Sequence, residues 1–231
     1  MDKKWITGLT NVNLTTVMTQ QLQQYYQILI TENQHQNLTT ITKEQDVYYK
    51  HFYDALLISN NISLTNQNLC DVGSGAGVPG IVLKICFPNL QLTIIEANGK
   101  KCQFLHKVVT TLKLENVYIV NERAEVFAHQ YRETFDIVTA RAIAALNILS
   151  ELCLALVKID GLFIAYKGIN IAAELLLAQN SILVMGANLI NQFTFQLPHE
   201  YGQRTLLHFQ KYKLCALKYP RSFQQIKTKP L

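Results

Sequence analysis

The sequence lacks the features typical of membrane, secreted and metal-binding proteins. No stretch of its 231 residues approaches the roughly 18 apolar residues that a membrane-spanning helix needs. The first residues contain no apolar segment of the kind found in signal peptides, so we expect a cytoplasmic protein with no membrane partner. The 5 cysteines are widely spaced and form no C-x-x-C pair, which predicts reduced, buried thiols and no metal site.

Acidic residues are absent from the C-terminal segment 201–231. The rest of the chain carries slightly more acidic than basic residues, so the whole formal net charge of +5 lies in this segment. Basic segments commonly contact the phosphates of nucleic acids. A solvated tail that only aids solubility explains the same charges. The basic residues of the segment are Arg204, Lys211, Lys213, Lys218, Arg221, Lys227 and Lys229.

A glycine-rich stretch follows a predicted strand at 69–72, and it lacks both the dinucleotide and the Walker pattern. The dinucleotide pattern G-x-G-x-x-G requires glycine at the position of Val78, and no Walker lysine follows. The alternating Gly73, Gly75 and Gly77 allow the backbone to approach a ligand closely. Glu96 ends the next strand, where a carboxylate accepts ribose hydroxyls. This spacing predicts a mononucleoside site for S-adenosylmethionine, and the alternative is a turn that uses glycine only for its sharp geometry.

Three neighbouring residues complete this predicted site. The helix that follows the loop begins with unpaired amides that favour the methionine carboxylate, and Asp71 at the end of the first strand is predicted to attract its ammonium group. Ala124 and Glu125 follow the third strand, where we expect them to line the adenine pocket. An ordinary polar helix start explains Ala124 and Glu125 equally well.

Arg141 follows the fourth predicted strand and is our candidate catalytic residue. The surrounding segment contains neither the D/N-P-P-Y/F motif of amino-group methylation nor the nucleophilic cysteine of cytosine-C5 methylation. A planar guanidinium stacks on a base or donates to a carbonyl or phosphate oxygen. A ring nitrogen with its own lone pair, such as guanine N7, is therefore a suitable methyl acceptor, because it needs no general base. A structural salt bridge is the alternative role for Arg141.

Strands and helices alternate from residue 69 onward, after two amphipathic helices at 14–33 and 42–60. This alternation predicts an α/β, doubly wound, Rossmann-like methyltransferase sheet that is mostly parallel, with an antiparallel edge hairpin and N-terminal helices. We expect an N-terminal helical extension at 1–65, a methyltransferase domain at 66–213 and a basic tail at 214–231. The predicted strands are 69–72, 92–96, 117–120, 135–139 and 162–166, the helices 100–112, 146–157 and 171–183, and the hairpin 189–197 with 205–212.

From about Asn33 to the C-terminus the motifs resemble those of the bacterial small-subunit ribosomal RNA guanine-N7 methyltransferases (the RsmG, formerly GidB, family). The glycine block with Pro79 after it and the arginine–alanine pair after the fourth strand are specific to that family. His51 and Asp54 share one helix face, and their functional weight comes from this resemblance. The matching segments are 37–39, 51–54, 71–80, 96–101, 123–125, 140–142, 167–168, 202–204, 219–221 and 230–231.

The resemblance implies S-adenosylmethionine-dependent methylation of a guanine N7 in 16S ribosomal RNA. The sequence departs from the family pattern at Val78, Ala55 and Glu32, and the usual Gly-Thr-Pro core is missing between Arg221 and Pro230. The residues assigned to the cofactor pocket are Gly73, Val78, Glu96, Ala97, Asn98, Ala124, Glu125 and Arg141.

Two other classes of function remain open at this stage, because a fold does not fix a function. One is a small-molecule methyltransferase or oxidoreductase on the same sheet, although the basic tail and Val78 argue against this class. The other is a non-catalytic nucleoside-binding regulator, which only Arg141 disfavours. The preferred partner is 16S ribosomal RNA or the small ribosomal subunit, and we expect a monomer.

Overall fold

The computed structural model describes residues 3–231, with side chains from residue 5 onward. Within this part of the chain the strands are β1 (Asn68–Val72), β2 (Gln91–Ile95), β3 (Val117–Val120), β4 (Phe135–Arg141), β5 (Val157–Lys167), β6 (Ala187–Gln196) and β7 (Gln203–Lys211). These seven strands form a single sheet in the order β3-β2-β1-β4-β5-β7-β6. Strands β1 to β5 are parallel to one another, whereas β7 is antiparallel to both β5 and β6. The predicted mostly parallel sheet with an antiparallel hairpin is confirmed.

Helices cover both faces of this sheet, and each face has its own apolar cluster. The first three helices pack with α4 and α5 on one face, and α6 to α9 pack on the other. Short 3-10 helices lie at Lys3–Ile6, Leu57–Asn60 and Pro198–Glu200. The α-helices are α1 (Thr16–Gln36), α2 (Glu44–Val47), α3 (Asp54–Leu56), α4 (Gly80–Cys86), α5 (Gly99–Thr111), α6 (Ala124–Gln130), α7 (Leu146–Leu154), α8 (Ala172–Val184) and α9 (Phe223–Thr228).

The second N-terminal helix differs from the uniform helix predicted at 42–60. A π-helix, Tyr48–Tyr53, joins α2 to α3, and a 3-10 helix, Leu57–Asn60, follows. The whole stretch is packed against the sheet, and nearly every side chain from Val47 to Ser59 is buried. The wider turn of a π-helix changes which residues share a face, and such turns are frequent at functional sites. His51 and Asp54 lie in and just after it.

The helix predicted at 146–157 ends earlier than expected. It stops at Leu154, and Val157 begins β5, where it pairs with Phe135 of β4. All residues from Leu152 to Val157 are apolar and buried, and a buried helix and a buried strand have the same apolar pattern. The boundary is therefore set by pairing with β4, which the local sequence does not specify.

The basic C-terminal segment is packed against the body of the protein. Arg132 donates to the carbonyl oxygens of Cys215 and Tyr219, and Ile226 of α9 is fully buried. Arg221 forms an ion pair with Glu151, which is itself fully buried. The alternative of a solvated tail is therefore wrong for this part of the segment, because an ion pair and an apolar anchor hold it in place.

All five cysteines are buried and free, as the sequence predicts. Burial raises the pKa of each thiol, so the cysteines are protonated at neutral pH and inert. Among residues 3–231 no helix is long and apolar enough to cross a membrane. The described side chains include no cluster of three or more His, Cys, Asp or Glu residues placed to hold a metal ion.

Candidate functional site

The loop between β1 and α4 has a backbone that requires glycine. Gly73 and Gly77 have φ angles of 63° and 92°, in the region that side chains disfavour. A Cβ atom on Gly73 would lie 2.6 Å from Cδ1 of Ile143, and one on Gly77 would lie 2.7 Å from Cγ1 of Ile81. The positive φ angles disfavour larger residues at both positions, and at Gly77 the buried Ile81 side chain leaves no room for one.

Tyr25 supports the same loop from α1. Its ring is fully buried and stacks on Phe52, with 5.4 Å between the ring centroids, and its hydroxyl donates to the carbonyl oxygen of Ala76. Burial raises the pKa of Tyr25, so the hydroxyl keeps its proton and remains a donor. The N-terminal helices are therefore part of the framework that holds the glycine loop.

Asp71 lies beneath the loop and is fully buried. Its carboxylate accepts hydrogen bonds from the Gly80 amide at 2.9 Å, from Thr139 Oγ1 at 2.8 Å and from the Ser74 hydroxyl. Desolvation raises the pKa of Asp71, although these hydrogen bonds oppose the shift. The prediction that Asp71 attracts an ammonium group is wrong. Asp71 instead links the loop to β4 and to the first amide of α4. Because that amide already donates to Asp71, it is not available to the methionine carboxylate of a ligand.

Glu96 follows β2 directly and faces the loop. Its Oε2 accepts from the Gly75 amide at 3.0 Å, and its Oε1 accepts from the Asn98 amide at 2.9 Å. Each carboxylate oxygen keeps a second lone pair that a hydroxyl can use. The two backbone contacts fix the orientation of the carboxylate in the way that binding of a vicinal diol requires.

A cavity of about 390 Å³, here named the first cavity, opens beside Glu96. Its walls come from the ends of β1 and β2, the start of α6, the segment after β4 and the start of α9. It brings together five of the residues predicted to contact the cofactor. These are Gly73, Glu96, Ala97, Ala124 and Glu125.

Two predicted cofactor residues have partners inside the protein. Asn98 caps α5, since its side chain accepts from the amides of Lys100 at 3.0 Å and Lys101 at 3.3 Å, and it does not line the first cavity. Glu125 lines that cavity, and its Oε1 accepts from Nε of Arg123 at 2.5 Å. Asn98 therefore orients Glu96 through its backbone, and a direct contact of either side chain with a cofactor stays a prediction.

Two more cavities continue from the first. The second, of about 210 Å³, lies between the glycine loop and Arg141 and includes the predicted Val78. The third, of about 350 Å³, lies between β4, the end of β5 and the π-helix. Arg141 and His51 line both the second and the third cavity, and Ala142 lines all three. The three cavities therefore adjoin one another along the carboxyl edge of the parallel strands, and together they are named the trough.

Arg141 stands at the junction of the second and third cavities and is held by three contacts. Its Nη1 donates to the carbonyl oxygen of Lys50 at 3.1 Å and to Oδ2 of Asp54 at 3.0 Å. Its Nη2 lies 3.0 Å from Nδ1 of His51. His51 and Asp54, which the family resemblance indicated, therefore form one cluster with Arg141, the candidate catalytic residue. The salt bridge that was the alternative role for Arg141 exists within the candidate site.

His51 is neutral in this cluster. Burial, and after it the nearby positive charge of Arg141, lowers the pKa of His51 from 6.5 to about 3. Nδ1 of His51 lies 3.0 Å from Nη2 of Arg141 and 3.2 Å from the carbonyl oxygen of Lys50. Because a guanidinium can only donate, we assign the ring proton to Nε2, which leaves Nδ1 as an acceptor. Nε2 then donates to Oγ1 of Thr39, which lies 2.9 Å away. This arrangement fixes the imidazole tautomer and the position of the guanidinium together.

Asp54 holds a second arginine in the same place. Nε of Arg204 lies 3.3 Å from Oδ2 of Asp54, while Oδ1 is buried and has no hydrogen-bond partner within residues 3–231. Lys50 and Lys167 add two further basic side chains to the walls of the third cavity. The wall of this cavity is therefore rich in donors, with one carboxylate that aligns two guanidinium groups.

The sequence analysis gave no site role to three residues that the structure places in the trough. Lys101 lines the first and second cavities, Arg204 lines the third, and Phe223 lines the first. Lys101 and Arg204 belong to segments of the family resemblance, and Arg204 is also one of the basic residues of the C-terminal segment. Phe223 lies where the sequence departs from the family pattern, and no local motif marks it.

Comparison with known proteins decides the family. The family model GidB, described as rRNA small subunit methyltransferase G, matches residues 18–204. The chain belongs to the GidB family. A curated member, "Ribosomal RNA small subunit methyltransferase G" of Staphylococcus aureus (strain Newman), is 45% identical over 213 residues, which cover 91% of this chain and 89% of that protein. A second member, from strain JH9, is 44% identical over the same length.

Solved structures with the same fold are far less similar in sequence. A precorrin-6y C5,15-methyltransferase from Geobacter metallireducens GS-15 is 15% identical, with a TM-score of 0.54 over 75% of this chain and 91% of that one. M. jannaschii TYW2, solved in complex with AdoMet, is 16% identical, with a TM-score of 0.55 over 74% and 79%. These similarities establish for the GidB-family chain a methyltransferase-type Rossmann-like fold.

Proposed function

We propose that this protein transfers the methyl group of S-adenosylmethionine to N7 of a guanine in 16S ribosomal RNA. The observation that carries the proposal is the trough in a GidB-family chain, in which the guanidinium of Arg141 lies between the second cavity, beside the glycine loop, and the donor-rich third cavity. The preferred substrate is the RNA itself or the small ribosomal subunit. The protein acts as a cytoplasmic monomer in this proposal. It comprises an N-terminal helical extension at 1–65, a methyltransferase domain at 66–213 and a basic tail at 214–231.

The first two cavities fit S-adenosylmethionine. Glu96 is oriented by two amides to accept the ribose hydroxyls, and the left-handed backbone at Gly73 disfavours a side chain beside them. Ala97, Ala124 and Glu125 surround the adenine, while Val78 lines the cavity that leads to Arg141. When bound, this molecule supplies a methyl group on a positively charged sulfur. The lysine-containing end of the second cavity, at Lys101, complements the methionine carboxylate.

The third cavity receives the target guanine in this proposal. Guanine N7 carries its own lone pair, so the chain needs no general base, and the neutral His51 and the permanently charged Arg141 offer none. Arg141 instead aligns the base by donating from the guanidinium edge. Catalysis comes from alignment and from the exclusion of water. Lys50, Lys167 and Arg204 line this cavity, and each is already paired with a carboxylate of the protein. In this proposal their remaining N–H groups donate to the RNA phosphates.

Cofactor binding is tested by thermal shift with S-adenosylmethionine and, separately, with NAD. A ligand at 100 times its Kd stabilises the folded state by about 2.7 kcal/mol, so the first should raise the melting temperature and the second should not. The reaction is tested by incubating the protein with methyl-labelled S-adenosylmethionine and small ribosomal subunits from cells that lack this protein. Nucleoside analysis should then find labelled 7-methylguanosine. Label in another nucleoside, or in small molecules only, contradicts the proposal.

A further inference from the structure

The start of α9 forms part of the wall of the first cavity. Phe223, the first residue of that helix, is half-buried and lines the cavity together with Glu96, Ala124 and Glu125. The guanidinium carbon of Arg123 lies 4.1 Å from the centroid of the Phe223 ring. Arg123 also pairs with Glu125, so the ring, the guanidinium and the carboxylate form one connected wall.

Several contacts hold Phe223 in this position. Ser222 and Gln225 form a capping box at the start of α9, and Ile226 anchors the helix in the apolar cluster of that sheet face. Just before the helix, Nη2 of Arg221 donates to Oε2 of the buried Glu151 at 2.7 Å, and Nε donates to Oε1 at 2.9 Å. An ion pair, a cap and an apolar anchor therefore fix the segment on both sides of the aromatic ring.

We infer that Phe223 contacts the adenine ring of the bound cofactor and closes the outer end of the nucleoside pocket. The inference rests on the proposed function, because it assumes an adenosine moiety beside Glu96. A flat aromatic ring offers a large apolar contact to a base at little cost in conformational entropy. A guanidinium on the same ring fixes its orientation, since cations favour aromatic faces.

This contact does not follow from family membership. The matched residues end at 204, so α9 lies outside the part of the chain that the family model describes. The segment from Arg221 to Pro230 is also the place where the family's Gly-Thr-Pro core is absent. The aromatic wall therefore lies outside the segment that the family model matches, and in this inference it gives the C-terminal segment a role in cofactor binding.

The first experiment places a fluorescent reporter at the contact. The chain has one tryptophan, Trp5, which is buried and packs between Tyr48 and Phe52 away from the trough. In the Phe223→Trp variant, titration with S-adenosylhomocysteine should change the indole emission and saturate at the Kd measured by calorimetry. Methionine alone should cause no change, and the wild-type protein with its single Trp5 should respond weakly.

The second experiment measures affinity. Phe223→Ala should weaken S-adenosylhomocysteine binding about tenfold, the scale of losing one ring that stacks on a base. Phe223→Tyr should bind like the wild type. Gln224→Ala, which changes an exposed neighbour on the same helix, is the matched control and should also bind like the wild type. Melting curves of all ligand-free variants check that the fold is retained.

The outcomes separate this inference from the proposed function. If the wild-type protein does not bind S-adenosylhomocysteine, the proposed function fails. If the wild type binds and Phe223→Ala binds equally well, the inference alone is wrong. If Phe223→Ala binds more weakly but the Phe223→Trp emission does not respond, the ring only supports the wall and the adenine contact is refuted.

Discussion

Replacing Arg141 by lysine tests whether the guanidinium geometry, and not only its charge, serves the reaction. The side chain makes three contacts from two nitrogen atoms, to the Lys50 carbonyl, to Asp54 and to His51. A single ammonium nitrogen cannot span these positions, so Arg141→Lys should lose one or two of them. Because contacts to charged groups contribute about 1.5–3 kcal/mol each, we expect a stability loss of about 2 kcal/mol. That loss corresponds to a fall of about 4–8 °C in melting temperature for a chain of this size.

The rate should fall by more than the loss of stability explains. A displacement of about 1 Å in an aligning group costs about a hundredfold in rate, so single-turnover methyl transfer by Arg141→Lys should fall tenfold to a hundredfold. The assay uses saturating S-adenosylmethionine and small ribosomal subunits, well below the melting temperature of each variant. Arg141→Ala should lose more, in both rate and stability, because it leaves the buried Asp54 with Arg204 as its one cationic partner within the described part of the chain.

Lys211→Met is the matched control. Lys211 is fully buried, donates to the carbonyl oxygens of Leu154 and Met185, and pairs with Glu133 outside the three cavities. Its replacement should destabilise the protein while leaving the single-turnover rate unchanged. A wild-type rate in Arg141→Lys refutes the alignment argument, and an equal rate loss in Lys211→Met shows that stability alone explains the effect.

Three further predictions follow from buried contacts. The pKa of His51 is 6.5 in the unfolded chain and about 3 in the folded protein. Between these pH values the His51 side chain is protonated in the unfolded state and neutral in the folded state. The free energy of unfolding therefore falls as pH drops from 6.5 to 3. In His51→Gln this slope, measured by urea unfolding at several pH values, should flatten by at most about 1.4 kcal/mol per pH unit. Deleting 218–231 should lower both the melting temperature and the cofactor affinity. The deletion removes the apolar anchor Ile226 and leaves the buried carboxylate of Glu151 without its partner Arg221. Unchanged values would mean that the packing of this segment is dispensable. Gly73→Asp should abolish cofactor binding in calorimetry, because its Cβ meets Ile143 and its charge opposes a carboxylate, and retained affinity would contradict the loop geometry.

The deletion prediction changes the interpretation of the C-terminal charges. From the sequence we expected a basic C-terminal segment that contacts the phosphates of RNA or, alternatively, a solvated tail. Lys211 is buried in the sheet and Arg221 is paired with Glu151, so these two charges already have partners inside the protein. Net charge measures how many cations a segment has, whereas packing decides which of them face solvent. RNA contact by the exposed Lys227 and Lys229 remains a prediction.

Local sequence patterns were enough to predict the sheet and the nucleoside end of the site. The hydrophobic periodicity, the length of each element and the placement of glycine are local properties of the sequence. The alternation of strands and helices from residue 69 onward therefore predicts parallel strands whose carboxyl ends meet at one edge of the sheet, and the spacing of Gly73 and Glu96 places a site there. The lack of glycine at Val78 separated a mononucleoside site from a dinucleotide site in the same way. These features need no knowledge of distant contacts.

The partners of the polar groups depend on contacts that form only when the chain folds. Asp71 was predicted to face a ligand, but it is buried beneath the loop, because its three donors lie on segments that meet only after folding. Asp54 aligns Arg141 and Arg204 from 87 and 150 residues away. Phe223 reaches the first cavity because α9 is anchored in the apolar cluster that α6, α7 and α8 share on one face of the sheet. Such contacts depend on which surfaces pack together, and no local pattern encodes that.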